Sequence, residues 1–310
     1  MKKFLLPEDG HAYKANLHCH STYSDGSYTV EKLKELYKER GYSVVAFSDH
    51  NCLVPHPELA EPGFVPLTAT EINIDDGRGH TYHLNFFSPE PGRDRFPDID
   101  RVYSVEGVNR VIEIGNRAGY LCQYNHPRWS YQTPSDFFGL RGLWGFEVFN
   151  TGCEVEMHDG WGDYEYETMC RDSEERPAVT ATDDNHNGAR DPGGPYDDSF
   201  LGWTTFFARE LTYSAVFEAL RNKDCYATTG PEITALYAED GKLYVDHTPA
   251  FSVCVRFDTR RRGILRSLAG DLTHSEFDVS GDYRHFRLEI KDLNGNKALT
   301  RAYTKADVEF

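Results

Sequence analysis

Short apolar runs alternate with stretches of helical period over the first two-thirds of the chain, a pattern that predicts βα units around a mostly parallel sheet. Strands are expected at Ala12 to Leu17, Val44 to Phe47, Val65 to Thr70, His80 to Phe87, Tyr120 to Asn125, Leu143 to Asn150 and Pro177 to Thr182. Between the first two, Val30, Leu33, Leu36 and Tyr37 form an apolar stripe behind the capping residue Thr29, and Gly41 stands where a left-handed helix end belongs. Ser104 to Ala118 and Thr212 to Asn222 carry the same helical signals; Gly119 stops the first, and Leu211 and Val216 bracket the cap of the second. In the acidic, aromatic segment Thr151 to Arg176, a helix is expected only over Asp163 to Glu174. Asp183 to Ser199, rich in Gly, Pro and Asp, is expected as a loop.

After Gly230-Pro231 the period changes to two. Ile233 to Ala238, an Asp240-Gly241 turn, Leu243 to Asp246, the face Phe251-Val253-Val255-Phe257, and the alternation Phe286-Leu288-Ile290 before Asn294-Gly295 predict antiparallel hairpins. The expected organisation is a catalytic unit over residues 1–230 and a small β appendage over 231–310. Neither unit shows an internal repeat.

Composition narrows the class. With 310 residues and 39% hydrophobic content the chain can bury a real core. It has no apolar run of membrane-span length, and Phe4-Leu5-Leu6 is too short for a signal-peptide core. Seven cysteines without a C-x-x-C pair indicate neither a disulfide framework nor a thiolate zinc knuckle, so a reducing cytoplasm is the expected compartment. A formal charge of −17 opposes broad adhesion to nucleic acid or anionic membrane, but leaves room for a small anion in a local cation-filled pocket.

Candidate chemistry gathers where the expected strands end. His18 and His20 share one face of their strand, Cys19 takes the other, and Asp25 follows. Asp49-His50, Glu71, His83, His126, Glu147, and Asp184 with His186 recur at or near later strand ends. In parallel α/β architectures the carboxyl ends of the strands share a rim, so these distant residues are expected to converge. His80 competes with His83, but an offset of three places them on opposite faces of a strand. Asp183 competes with Asp184, and the D-x-H spacing favours Asp184. Asp49 is expected to orient a ligand or cap a turn, and Glu147 is balanced between a partner behind a ligand and a solvated position. His247, His274 and His285 lack ligand spacing and are read as surface or packing residues.

Taken in order, H-C-H-S with Asp25, F-S-D-H-N at 47 to 51, Glu-Ile at 71 to 72, H-L-N at 83 to 85, N-H-P at 125 to 127 and D-N-H at 184 to 186 resemble the PHP (polymerase and histidinol phosphatase) domain over roughly residues 10 to 230. The segment Y-A-T-T-G-P at 226 to 231 and the tail beyond it resemble the carbaryl-hydrolase-like branch of that family. The resemblance implies an α/β fold, a distorted seven-stranded β/α barrel, with two or three divalent metals. It also implies a ligand set by position. His18, His20 and Asp184 would hold one ion, Glu71 would bridge it to a second held by His83 and His126, and Asp25, His50 and His186 would hold a third.

Imidazole and carboxylate without thiolate suit Mn²⁺, Zn²⁺ or Fe²⁺. A water bridging two such ions can lose its proton near neutral pH and act as the nucleophile, with Glu71, Asp184 and His186 as the catalytic ligands. Three divalent cations against three carboxylates and one hydroxide leave a local charge of roughly +2, which attracts a phosphate. Arg128 and Arg190 are the candidates for gripping that phosphate, each weighed equally against simple pairing with a carboxylate. The leading expectation is hydrolysis of a small phosphorylated substrate. The alternatives are a carboxylic or carbamate ester hydrolase on the same metals, and a non-catalytic metal-binding module; the residues leave the oligomeric state open.

Overall fold

The computed structural model describes residues 1–309. In chain order its elements begin with β1 (Lys3–Phe4), β2 (His11–Cys19), α1 (Val30–Glu39), β3 (Val44–Phe47), β4 (Val65–Asp75), β5 (Thr81–Phe87), α2 (Val105–Arg117), β6 (Leu121–Tyr124), α3 (Pro134–Phe137) and β7 (Gly145–Asn150); β1 and α3 lie where no element is expected. Next come α4 (Thr151–Met157), α5 (Asp163–Asp172), β8 (Ala178–Thr182), β9 (Trp203–Ala208), α6 (Tyr213–Arg221) and β10 (Cys225–Thr228). The remainder is β11 (Ile233–Glu239), β12 (Lys242–Ala250), β13 (Ser252–Phe257), β14 (Arg262–Arg266), β15 (Leu272–Asp278), β16 (Phe286–Lys291), β17 (Lys297–Leu299) and α7 (Lys305–Val308).

The expected caps form. Thr29, Ser104 and Thr212 accept from the amides of Lys32, Gly107 and Ala215, satisfying donors that the first helical turn leaves free. Gly41 and Gly119 take φ of +77° and +89°, the left-handed region that ends α1 and α2. Helix α4 lies where no helix is expected. Its cap is Asn150, whose side chain accepts from Cys153 N at 2.8 Å, and this residue is also the last of β7. A cap hidden at a strand end, followed by the weak helix formers Thr151 and Gly152, masks the start.

Thirteen strands form one sheet in the order β14-β13-β16-β17-β10-β9-β2-β3-β4-β5-β6-β7-β8. Pairs β2·β3, β3·β4, β6·β7 and β7·β8 are parallel, but β5 runs against both β4 and β6. The expectation of a mostly parallel sheet is therefore corrected to a mixed one. The turn between Asp75 and Thr81 joins β4 to β5 directly, and a connection without a crossover helix forces antiparallel pairing. The expected seven-stranded barrel likewise does not take the form of a closed ladder among the described residues. The ends of β2 and β8 meet through one isolated bridge, Cys19 to Asn185.

The sheet also continues across the expected unit boundary, because β10 pairs with β17 through Ala227↔Leu299 and Thr228↔Ala298. The N-terminal β1 joins β11, β12 and β15 in a second sheet of four strands. One apolar core accordingly mixes Leu5, Leu6, Phe207 and Tyr226 with Val253, Val255 and Leu288. The seven cysteines are free. Among the described residues no helix is long and apolar enough to cross a membrane.

Candidate metal centre

Strands and the turns after them deliver nine imidazole and carboxylate side chains to one rim. His18 and His20 come from the end of β2, Glu71 from β4, His83 from β5 and His126 from the turn after β6; Asp25, His50, Asp184 and His186 stand in loops. Cys19, between the two histidines, packs on the other side with Val30, Leu33 and Phe47.

Glu71 is fully buried and sits at the middle. Its Oε1 lies 3.2 Å from His18 Nε2, 3.1 Å from His83 Nδ1 and 3.4 Å from His126 Nε2. Its Oε2 faces the other way, 3.4 Å from His20 Nε2 and 3.0 Å from His50 Nδ1. Asp184 Oδ1 lies 3.1 Å from His18 Nε2 and 3.0 Å from His20 Nε2, and these two ring nitrogens are 3.1 Å apart. At the mouth, Asp25 stands 3.4 Å from His186 Nε2 and 3.7 Å from His50 Nε2.

Among the described residues, four overlapping groups have potential ligand atoms mutually within 4.8 Å: His18, His20, Glu71 and Asp184; His20, Asp25, His50 and His186; His50, Glu71 and His83; and His18, His126 and Glu147. All nine residues implied by the resemblance are in these groups, with His18, His20, His50 and Glu71 each shared between two of them and Glu147 added.

Glu147 is buried and acts from behind: its Oε1 meets His18 Nδ1 at 2.9 Å and Thr182 Oγ1 at 2.5 Å, while Oε2 accepts from His126 N. A carboxylate on Nδ1 fixes the ring so that Nε2 faces the centre. Asn125, one residue before His126, donates to Glu71 Oε1 at 2.8 Å. Asp49 accepts from the amides and hydroxyls of Ser21 and Ser24, which shapes the loop that carries Asp25. His80 pairs with Asp76 in the exposed turn, whereas His83 enters the cluster. Asp183 turns away to Tyr37 and Thr151, and burial raises its carboxyl to about 7.

Two contributors carry no spacing signal in the sequence. Asp198 accepts from the amides of His186 and Asn187, and Trp129 closes one wall with its ring 5.2 Å from His126 and 5.8 Å from His83. Arg128 and Arg190 are placed elsewhere. Arg128 is paired with Glu165 at 2.9 Å, Arg190 is exposed, and neither lines the cleft above the cluster.

The groups stabilise each other's charged forms. Burial alone would raise the Glu71 carboxyl, but His83 and His18 outweigh it and hold it well below the usual range. Burial likewise opposes the His18 cation, yet Asp184, Glu71 and Glu147 raise its imidazole well above the ordinary value. His186 rises to about 9 against its own burial because Asp25 is bonded to it. A cation entering this set competes with protons on the imidazoles.

The donor set fits divalent metal. Glu71 Oε2 and His126 Nε2 are buried without a hydrogen-bond partner. Such an atom costs about 1 to 3 kcal/mol, and here both point into a convergence of lone pairs. Nitrogen and oxygen donors without sulfur match Mn²⁺, Zn²⁺ or Fe²⁺.

Fold and site together define an α/β protein with a candidate centre for more than one metal ion. Residues 16–123 match the family model of the PHP domain. The chain is 32% identical over 110 residues to the 5'-3' exoribonuclease of Haemophilus influenzae, a match that covers 34% of this chain and 39% of that protein. Thus the chain spans well under half of that relative's length. Its fold is similar to the crystal structure of a two-domain protein from Bacteroides vulgatus ATCC 8482, described as containing a predicted PHP-like metal-dependent phosphoesterase. The TM-score is 0.54 at 15% identity, covering 97% of this chain and 98% of that one, so the likeness includes the β appendage.

Proposed function

We propose that this protein hydrolyses a phosphate ester of a small molecule, using two or three divalent ions held by His18, His20, Asp25, His50, Glu71, His83, His126, Asp184 and His186. The observation that carries the reading is the division of labour at Glu71, whose two oxygens face different sets of imidazoles. Such a carboxylate is built to serve two cations at once. Divalent ions held there supply Lewis-acid charge and a water acidified towards neutrality.

The protein's own groups do the rest. Glu147 holds the His18 ring in the orientation that presents Nε2, and Asn125 fixes the Glu71 carboxylate. Asp25 and His186 stand at the open mouth, where a substrate oxygen enters. The cleft lining includes no lysine or arginine, so the attraction for a phosphate rests on the metal-loaded cluster itself. The exoribonuclease relative cleaves a phosphodiester, which supports phosphorus over carbon as the electrophile. Against that, the charge of −17 disfavours a long nucleic-acid track across the surface.

The test is a screen of manganese-loaded protein against sugar, nucleotide and histidinol phosphates, reading released phosphate. Turnover of at least one is expected. Silence towards all of them, with aryl carboxylic or carbamate esters hydrolysed, would move the reading to the ester hydrolase class.

A further inference from the structure

A groove leads directly out of the metal cleft, sharing His50, His83 and Trp129 with it. Its remaining wall is unlike the cleft. Tyr131, 63% exposed, and Met157, 42% exposed, stand on segments that are distant in sequence, the turn after β6 and the last residue of α4. The indole of Trp129 is set between cleft and groove by its Nε1, which donates to Glu156 at 3.0 Å. Tyr131 has φ of 53°, a left-handed backbone that a bulky residue adopts only at a cost. The fold thus spends conformational energy to keep a large ring at the surface here.

Charge decides what the groove accepts. No lysine or arginine lines it; of its imidazoles, His50 and His83 face Glu71 and His80 is paired with Asp76, and Asp75 adds a carboxylate, so a second anionic group is unwelcome. An aromatic ring and a thioether left exposed beside an indole form a face on which a flat ring stacks.

Resting on the phosphoesterase reading, we infer that this groove holds an uncharged planar aromatic group of the substrate, one joined directly or through a sugar to the phosphate at the metal cluster. Trp129, Tyr131 and Met157 are its recognition residues. A nucleobase and a simple aryl ring share the required chemistry, and the experiment separates them.

Three phosphonates, whose C–P bond resists hydrolysis, are titrated calorimetrically into the full-length manganese-loaded protein: methylphosphonate, phenylphosphonate and the phosphonate analogue of AMP. Stacking on aromatic side chains predicts that at least one ring-bearing ligand binds about tenfold tighter than methylphosphonate. Preference for the AMP analogue identifies a nucleobase, and preference for phenylphosphonate identifies an aryl ring. The double variant Tyr131→Asn and Met157→Ser should bring the ring-bearing ligands to within about twofold of methylphosphonate without changing manganese stoichiometry; Asn tolerates the left-handed backbone. Equal affinity of all three ligands for the unmodified protein would overturn the inference, as would an unchanged preference in the double variant. If the preference holds but no phosphate ester is turned over, the phosphoesterase reading fails and the stacking site stands.

Discussion

Two buried ionic clusters in this molecule make an instructive pair. At the rim, Glu71 and Asp184 lie among imidazoles under an open cleft. Between α5 and β16, Arg287 is 1% exposed and bonds Glu167 through Nε at 2.7 Å, with Glu289 at 3.6 Å and His285 3.6 Å from Glu167. Both contain buried atoms without hydrogen-bond partners: Glu71 Oε2 and His126 Nε2 in one, the Arg287 Nη atoms, both His285 nitrogens and Glu289 Oε2 in the other. Orphaned atoms alone therefore do not identify a ligand site. What separates the clusters is whether a cation is already built in. At the rim lone pairs converge and call for a cation, whereas the second cluster already contains one, a guanidinium that can only donate. The first has the donor set of a metal site, and the second joins α5 to the appended strands.

The sharpest separation comes from removing the guanidinium. Arg287→Ala should destabilise the fold by about 3 to 5 kcal/mol, since it strands Glu167 and Glu289 in the interior. Urea unfolding reads this, and manganese stoichiometry of the folded fraction should not change. The reciprocal change, Glu71→Ala, should weaken manganese binding more than about 100-fold, because loss of an outer hydrogen-bond partner alone costs 10- to 100-fold. Equilibrium dialysis checks it, and a variant that still binds metal normally would remove Glu71 from the centre.

Acid should act on the second cluster from the opposite side. Burial opposes ionisation of Glu167, but His285 and Arg287 hold its carboxyl down at about 2, against an ordinary 4.5. A depressed carboxyl contributes stability that is present above the unfolded value and lost as pH falls through the folded one. Up to about 3 kcal/mol should disappear between pH 4.5 and 2. Urea midpoints across that window measure it, and Glu167→Gln should flatten the loss. The smallest expected effect is at Glu147. Glu147→Gln should lower metal affinity about 10- to 100-fold through misorientation of His18, with unfolding little changed, and the same dialysis reads it.

The clusters also differed in how well the sequence announced them. Metal-type donors at strand ends are legible because strand alternation and rim convergence are local rules applied many times over; His18, His20, Glu71 and His83 follow from them. The placement of Asp184, rather than Asp183, beside His18 and His20 agrees with its spacing to His186. Asp198 and Trp129 were not readable, since a backbone-accepting carboxylate in a loop and a tryptophan in a turn have no periodicity to mark them. Arg287 was invisible for the same reason: nothing in Phe286-Arg287-Leu288 says that an outward position will meet Glu167 of α5. Sheet direction failed at β5, where direct connection outweighed the βα rhythm, and α4 was hidden by a cap borrowed from β7.

The most direct measurement is the metal content of the full-length protein after equilibration with excess Mn²⁺ and removal of free ion, by inductively coupled plasma mass spectrometry. Two to three manganese ions per chain are predicted, falling to one or none in Glu71→Ala. Fewer than one ion per chain in the unmodified protein would contradict the account.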